Sequence, residues 1–140
     1  METALTLETF AGLVLSIILG AAVGMERERT HKPAGLRTHM LVSLGSCVFT
    51  IVSAGFSADP ARIASGIVAG IGFIGAGTIW AEKDMVKGIT TAASLRATAA
   101  IGLTVGIADY PLAVAVTALV VVVLSTKTLL RKMGLERHQD

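Results

Sequence analysis

Long apolar runs, nearly free of charge, alternate along this chain with short polar breaks. Five runs stand out, at Thr9–Met25, Met40–Phe56, Ile63–Ala81, Ile89–Ala108 and Pro111–Leu130. Each is near the ~20 residues that a helix needs to cross a bilayer core. The first two are at the short end, where flanking side chains add length or snorkel. A segment in lipid must pair its own backbone N–H and C=O groups, so the runs predict helices. The expected fold is all-α, a polytopic membrane protein with five transmembrane helices. Residues 1–132 form the transmembrane domain and residues 133–140 a short cytoplasmic tail. The breaks are short, which makes consecutive helices antiparallel neighbours. Asp59-Pro60 reads as a turn initiator opening the third run, and Asp109-Tyr110-Pro111 repeats the device before the fifth. Residues 81–88, AEKDMVKG, read as a polar hairpin loop.

Composition supports a membrane location. The chain has 140 residues, of which 53% are hydrophobic and 16% charged, with a mean hydropathy of +0.73. A globule of this size has too little interior to hide that much apolar surface, so part of it faces lipid. Fifteen glycines against three prolines fit closely packed membrane helices. The opening METALTLETF has no basic n-region and carries Glu2 and Glu8, so it is not expected to be a signal peptide. The single cysteine, Cys47, lies within an apolar run and reads as a small buried hydrophobe. No basic run interleaved with aromatics occurs, and nucleic acid is not an expected partner.

Charge is concentrated in Gly24–Met40, GMERERTHKPAGLRTHM, between the first two runs. Lysine and arginine mark the cytoplasmic side of a membrane protein. With the amino terminus outside, Arg27, Arg29, Lys32, Arg37, Lys83, Lys87, Lys127, Arg131, Lys132 and Arg137 all fall inside, and only Arg62 outside. The expected topology therefore has the amino terminus outside and the carboxyl terminus in the cytoplasm. The remaining basic residue, Arg96, sits seven residues into the fourth run, about 10 Å deep at 1.5 Å per residue. Its side chain either snorkels back to the cytoplasm or pairs with an acid, Glu26 foremost, with Glu82 and Asp84 as alternatives. Asp59 and Arg62, three apart at the start of the third run, fit a local cap and ion pair or a functional pair.

Gly70-Ile71-Gly72-Phe73-Ile74-Gly75 matches a dinucleotide-binding fingerprint by its letters. That fingerprint needs a preceding strand in a soluble parallel sheet, whereas these glycines fall inside an apolar run. They belong to a longer series, Gly66, Gly70, Gly72, Gly75 and Gly77, suited to close helix packing or to a loosened helix beside a polar site. Gly20 and Gly24 form a second small-residue pair, and Gly102 and Gly106 a third. His31 and His39 are eight apart with no cysteine nearby, and no zinc spacing, Walker lysine or placed nucleophile and base is visible. Neither catalytic residues, metal ligands nor a cofactor are expected, and the chain is read as non-enzymatic.

Three strings, GMERERTHKPAGLRTHMLVSLG, DPARIASGIVAGIGFIGAGTI and VKGITTAASLRATAAIGL, resemble in order and spacing the membrane domain of the MgtC/SapB family. The resemblance covers roughly Leu13 to Gly106. It implies a bacterial inner-membrane, multi-pass protein linked to growth in low magnesium and to virulence. The best-studied branch of the family looks like a regulator that binds and restrains the membrane sector of ATP synthase. Residue by residue, Gly24, Glu26, Arg27 and Glu28 match one family element, and Pro33 to His39, including Arg37, match another. Asp59 and Arg62 match the outer turn. Gly70, Gly72, Phe73, Gly75 and Gly77 match the glycine run, and Gly88, Thr90 and Thr91 match the start of the fourth span. Arg96 departs from the family, which commonly has tryptophan there. Many members also carry a soluble cytoplasmic domain after the last helix, absent from the sequence up to Asp140. The functional expectation is a regulator of magnesium homeostasis acting through membrane-protein contacts. Glu26, Arg27 and Arg37 form its cytoplasmic ion-pair cluster, and the glycine face of span three is its packing surface. Membrane lipid and a second copy in a homodimer are the expected partners. A small transporter or channel, with Asp59, Arg62 or Arg96 lining its path, is the rival.

Overall fold

The computed structural model describes residues 6–55, 59–82 and 85–132. The amino-terminal five residues, residues 56–58 with the end of the second apolar run at Phe56, Lys83 and Asp84 of the third loop and the tail at 133–140 lie outside the described residues. Among the described residues five helices follow one another, α1 (Leu7–Arg29), α2 (Leu36–Ser53), α3 (Pro60–Ala76), α4 (Ile89–Gly106) and α5 (Tyr110–Lys132). Between α3 and α4 lies a two-stranded hairpin, β1 (Trp80–Glu82) and β2 (Met85–Lys87).

Local chemistry explains where the helices begin. The Thr6 hydroxyl accepts from the Thr9 amide at 3.1 Å and caps α1. Asp59 caps α3 by accepting from the Ala61 amide at 2.9 Å, with Pro60 occupying the first turn. The Asp109 carboxylate accepts from the Leu112 amide at 3.2 Å at the start of α5. Both Asp–Pro devices thus act as helix starts. Helices α1, α2 and α5 are long and apolar enough to cross a membrane; α3 is a shorter apolar helix.

The third apolar run departs from its expected length. Helix α3 stops at Ala76, and the chain enters β1 at Trp80 instead of continuing helical to Ala81. Glycines at 75 and 77 lower helix propensity there, and the Thr78 hydroxyl donates to the Gly75 carbonyl at 2.7 Å, fixing the exit turn. The expected loop is an antiparallel hairpin with Trp80 opposite Lys87, Ala81 opposite Val86 and Glu82 opposite Met85. Gly88 closes it with φ of 93°, and a Cβ at that position would overlap the Thr78 carbonyl.

Helix α4 is central and packs on α1, α2, α3 and α5. Helix α2 is clasped from two sides by small residues. A Cβ at Gly20 of α1 would lie 2.7 Å from the His39 carbonyl, and one at Gly24 would lie 2.8 Å from the Leu36 Cα. On the other side, a Cβ at Gly102 of α4 would overlap the Ser43 carbonyl, and one at Gly106 would lie 2.9 Å from that of Cys47. The two small-residue pairs therefore let α1 and α4 approach the α2 backbone directly.

The distribution of side chains is that of a protein in lipid. Large apolar residues such as Phe10, Phe49, Phe73 and Leu119 are exposed, whereas Ser43, Ser46, Thr91 and Thr98 are buried. Two apolar clusters complete the interior: one around Leu19, Val23, Cys47, Ile101 and Val105, the other around Ala34, Ile71, Leu95 and Ala99.

Candidate functional site

Buried polar groups line the faces where α1, α2 and α4 meet, and some of them connect into a network. On α2, His39, Ser43, Ser46, Thr50 and Ser53 recur three or four residues apart and so share one face, all of them buried. On α4, Thr91, Ser94 and Thr98 repeat the spacing. Most of these hydroxyls bond back to their own helix: Thr50 to the Ser46 carbonyl at 2.8 Å, Ser53 to Thr50 at 2.7 Å and Thr98 to Ser94 at 2.9 Å. Hydroxyls can thus be buried at little cost, since the helix itself supplies the acceptor.

Arg27 enters this network from the last turn of α1. It is 3% exposed, and its Nη2 donates to Oγ1 of Thr91 at 2.9 Å. Its Nη1 lies 3.9 Å from Oε2 of Glu26, an ion pair at the edge of contact whose carboxylate is also largely buried. Arg27 Nε, Glu26 Oε2 and Ser43 Oγ have no hydrogen-bond partner among the described residues. A buried guanidinium is costly unless paired, so Glu26 and Thr91 hold the charge in place.

His39 links the other two helices. It is fully buried, with Nδ1 2.9 Å from the Gly35 carbonyl and Nε2 3.1 Å from Oγ of Ser94. A carbonyl only accepts, so Nδ1 carries a proton. Oγ of Ser94 also lies 2.8 Å from the Thr91 carbonyl, which connects the histidine to the residue that receives Arg27. The connected path is Glu26, Arg27, Thr91, Ser94, His39 and Gly35. Alongside it, Oε2 of Glu28 accepts from the Leu36 amide at 2.8 Å and supplies the cap that Gly35, without a side chain, cannot.

The remaining sequence-derived residues are dispersed. Arg37 is exposed and separate from the Glu26–Arg27 pair, so the expected three-residue cluster reduces to two. Arg96 is exposed on α4 and does not pair with Glu26. Of its alternative partners, Asp84 and the side chain of Glu82 lie outside the described residues. Asp59 caps α3 and makes no ion pair with Arg62 among the described residues. Thr90 is exposed, and its neighbour Thr91 enters the network.

The glycines of α3 also divide. Gly66, Gly70 and Gly72 have nothing within 4 Å of a notional Cβ, whereas one at Gly75 would sit 3.3 Å from Cβ of Ala92 on α4. Gly77 is the carboxyl-terminal cap of α3. Among the described residues, only Gly75 of this series packs against another helix.

Sequence reasoning missed Ser94 and the hydroxyl face of α2. The signal was available in the three- and four-residue recurrence of serine and threonine in runs otherwise apolar. Among the described residues, no three of histidine, cysteine, aspartate and glutamate come together as a metal-holding group.

A wide groove separates α2 from α3. It has a volume of about 1030 Å³, with Arg37, Thr38 and Gly45 on the α2 wall and Arg62, Gly66 and Gly70 on the α3 wall.

Comparison with known proteins places this arrangement. The chain is 44% identical over 120 residues to the putative magnesium transporter YhiD of Escherichia coli K12, covering 79% of this chain and 56% of that protein. It is 41% identical over 128 residues to protein MgtC of Salmonella typhimurium LT2, covering 91% of this chain and 54% of that one. A Haemophilus influenzae protein is 35% identical over 135 residues, covering 88% and 57%. The chain thus spans about half the length of the curated relatives it matches. No solved structure matches it. The family model described as MgtC family matches residues 13–133, and the chain is a membrane protein belonging to the MgtC family.

Proposed function

We propose that this chain is a non-enzymatic regulatory protein of the bacterial inner membrane, acting in magnesium homeostasis or low-magnesium growth through contacts with other membrane proteins. In this reading it crosses the membrane five times, amino terminus outside, with the Arg27 network at the cytoplasmic end. The observation that carries it is the outer ridge of α3. Ala69, Gly72, Phe73 and Ala76 fall at helical spacing and are all exposed, with Phe73 83% so. A flat ridge of small residues beside one protruding aromatic suits helix-to-helix docking in lipid. The same ridge would serve a twofold homodimer or a larger partner, such as the ATP synthase membrane sector.

A transporter is the second reading, favoured by the name of the Escherichia coli relative and by the buried, unbonded carboxylate oxygen of Glu26. Against it, the charge at the centre of the polar network is a guanidinium, which repels a divalent cation. Reconstitution into liposomes containing a magnesium-sensitive dye separates the two. The regulator reading expects no magnesium flux above empty vesicles and a membrane partner whose co-purification is lost in Gly72→Leu. Flux that disappears in Glu26→Gln would overturn it.

A further inference from the structure

The groove between α2 and α3 has a chemistry that the proposed role does not use. Its middle is apolar and broad, because Gly45 on one wall and Gly66 and Gly70 on the other present no side chains and have open space before them. Its ends are cationic. Arg37 stands near the start of α2 and Arg62 near the start of α3, and both are exposed. Helix α3 runs back alongside α2, so the two arginines mark opposite ends. The wall from Arg37 to Phe49 is twelve residues long, about 18 Å at 1.5 Å per residue. A hydrocarbon core is about 30 Å thick, and a snorkelling arginine at either end reaches towards its own interface.

Neither arginine has a carboxylate within ion-pair distance among the described residues, and no acidic residue lines the groove. The chemistry of this lining therefore suits an anion at each end and a hydrocarbon between. We propose that the groove is a binding site for anionic phospholipid. The phosphate of a lipid from one leaflet sits on Arg37 beside the Thr38 hydroxyl, and that of a lipid from the other leaflet sits on Arg62. Their acyl chains run inward over Gly45, Gly66 and Gly70. Guanidinium groups suit this task because their planar fork matches phosphate oxygens.

Charge argues against a second copy of the chain in the same place. A twofold axis along the membrane normal would set Arg37 facing Arg37 and Arg62 facing Arg62, with no acid between them to relieve the repulsion. A lipid supplies the missing charge and fits the apolar middle. This assignment stands whether the protein regulates or transports.

The test is native mass spectrometry of the full chain released from mixed micelles holding equal phosphatidylglycerol and phosphatidylcholine. The wild type is expected to retain phosphatidylglycerol in preference. Arg37→Gln and Arg62→Gln should each lower that retention roughly fivefold, leaving phosphatidylcholine unchanged. Both arginines are exposed, so these variants keep the fold, and unchanged thermal unfolding verifies it. Gly66→Leu with Gly70→Leu fills the groove and should lower retention of both lipids. Equal retention of the two lipids by the wild type, or full phosphatidylglycerol retention by both arginine variants, overturns the proposal. So does efficient disulfide cross-linking of Gly66→Cys to a second copy in native membranes.

Discussion

Arg27 on α1 and Thr91 on α4 are sixty-four positions apart in sequence and joined by a 2.9 Å hydrogen bond in the interior. The bond fastens the end of the first helix to the first turn of the fourth and gives a buried cation a fixed acceptor. The threonine hydroxyl cannot neutralise the guanidinium; that falls to Glu26 at 3.9 Å. Removing the charge and removing its acceptor should therefore differ in cost. Thr91→Val is expected to lower unfolding stability in detergent by about 1.5–3 kcal/mol, the worth of a hydrogen bond to a charged group. Arg27→Met should cost more, about 3–5 kcal/mol, because Glu26 is left buried without its cation. Adding Glu26→Gln to Arg27→Met should recover part of that loss. Chemical denaturation of all three variants checks the order, and a less damaging Arg27→Met than Thr91→Val contradicts it.

Glu28 and Gly35 act as one device at the start of α2. The carboxylate caps the Leu36 amide, and a Cβ at Gly35 would occupy the place where that carboxylate rests. Because Glu28 is exposed and its end is free to swing away, Gly35→Ala should displace the cap without disrupting the backbone. Glu28→Ala and Gly35→Ala are each expected to cost about 1 kcal/mol, the usual worth of a lost cap. The double variant should cost little more than either alone, and full additivity in a double-mutant cycle would refute the shared mechanism.

The starts of α3 and α5 were legible because they follow from local chemistry. Asp59 before Pro60 and Asp109 before Pro111 place carboxylates where unpaired amides need acceptors, and both cap as read. The pairing of charges was not legible. Depth along the run gives Arg96 two readings, snorkelling or pairing with an acid, but burial depends on which face meets a neighbour, and Arg96 lies on an uncovered face of α4 with Ala93 and Ala100. Arg27 falls just past the first apolar run and reads as one member of a cytoplasmic ion-pair cluster with Glu26 and Arg37. It is buried because Gly24, one turn earlier, brings α2 against the same face of α1. The glycine series on α3 likewise looked like one packing face, although its members point into a groove, onto α4 and outward.

His39 carries a proton on Nδ1, since its partner there is the Gly35 carbonyl. With Arg27 already providing one cation in the network, the neutral Nδ1–H tautomer is the favourable form, and the single Ser94 hydroxyl proton then goes to Nε2 at 3.1 Å in place of the Thr91 carbonyl at 2.8 Å. Nitrogen NMR of the labelled imidazole should show one protonated and one bare ring nitrogen at neutral pH. Ser94→Ala should keep that tautomer and leave Nε2 unbonded. Two protonated nitrogens at neutral pH would mean that Ser94 donates to the Thr91 carbonyl instead.

Two helical glycines, each flanked by apolar residues in sequence, should respond oppositely to a methyl group. At Gly102 a Cβ would overlap the backbone carbonyl of Ser43, which cannot rotate away, so α4 and α2 must separate. Gly102→Ala is expected to cost about 1–3 kcal/mol by overpacking and to weaken the whole clasp on α2. At Gly70 the same Cβ meets nothing within 4 Å, and alanine is the better helix former. Gly70→Ala should therefore be neutral or stabilising by up to about 1 kcal/mol. Even Gly70→Leu should leave a folded chain, because its side chain enters the groove and not the bundle. Thermal unfolding of purified variants, followed by helical circular dichroism, measures all three. A Gly70→Ala loss as large as that of Gly102→Ala would mean that something closes on α3 that a single chain does not provide.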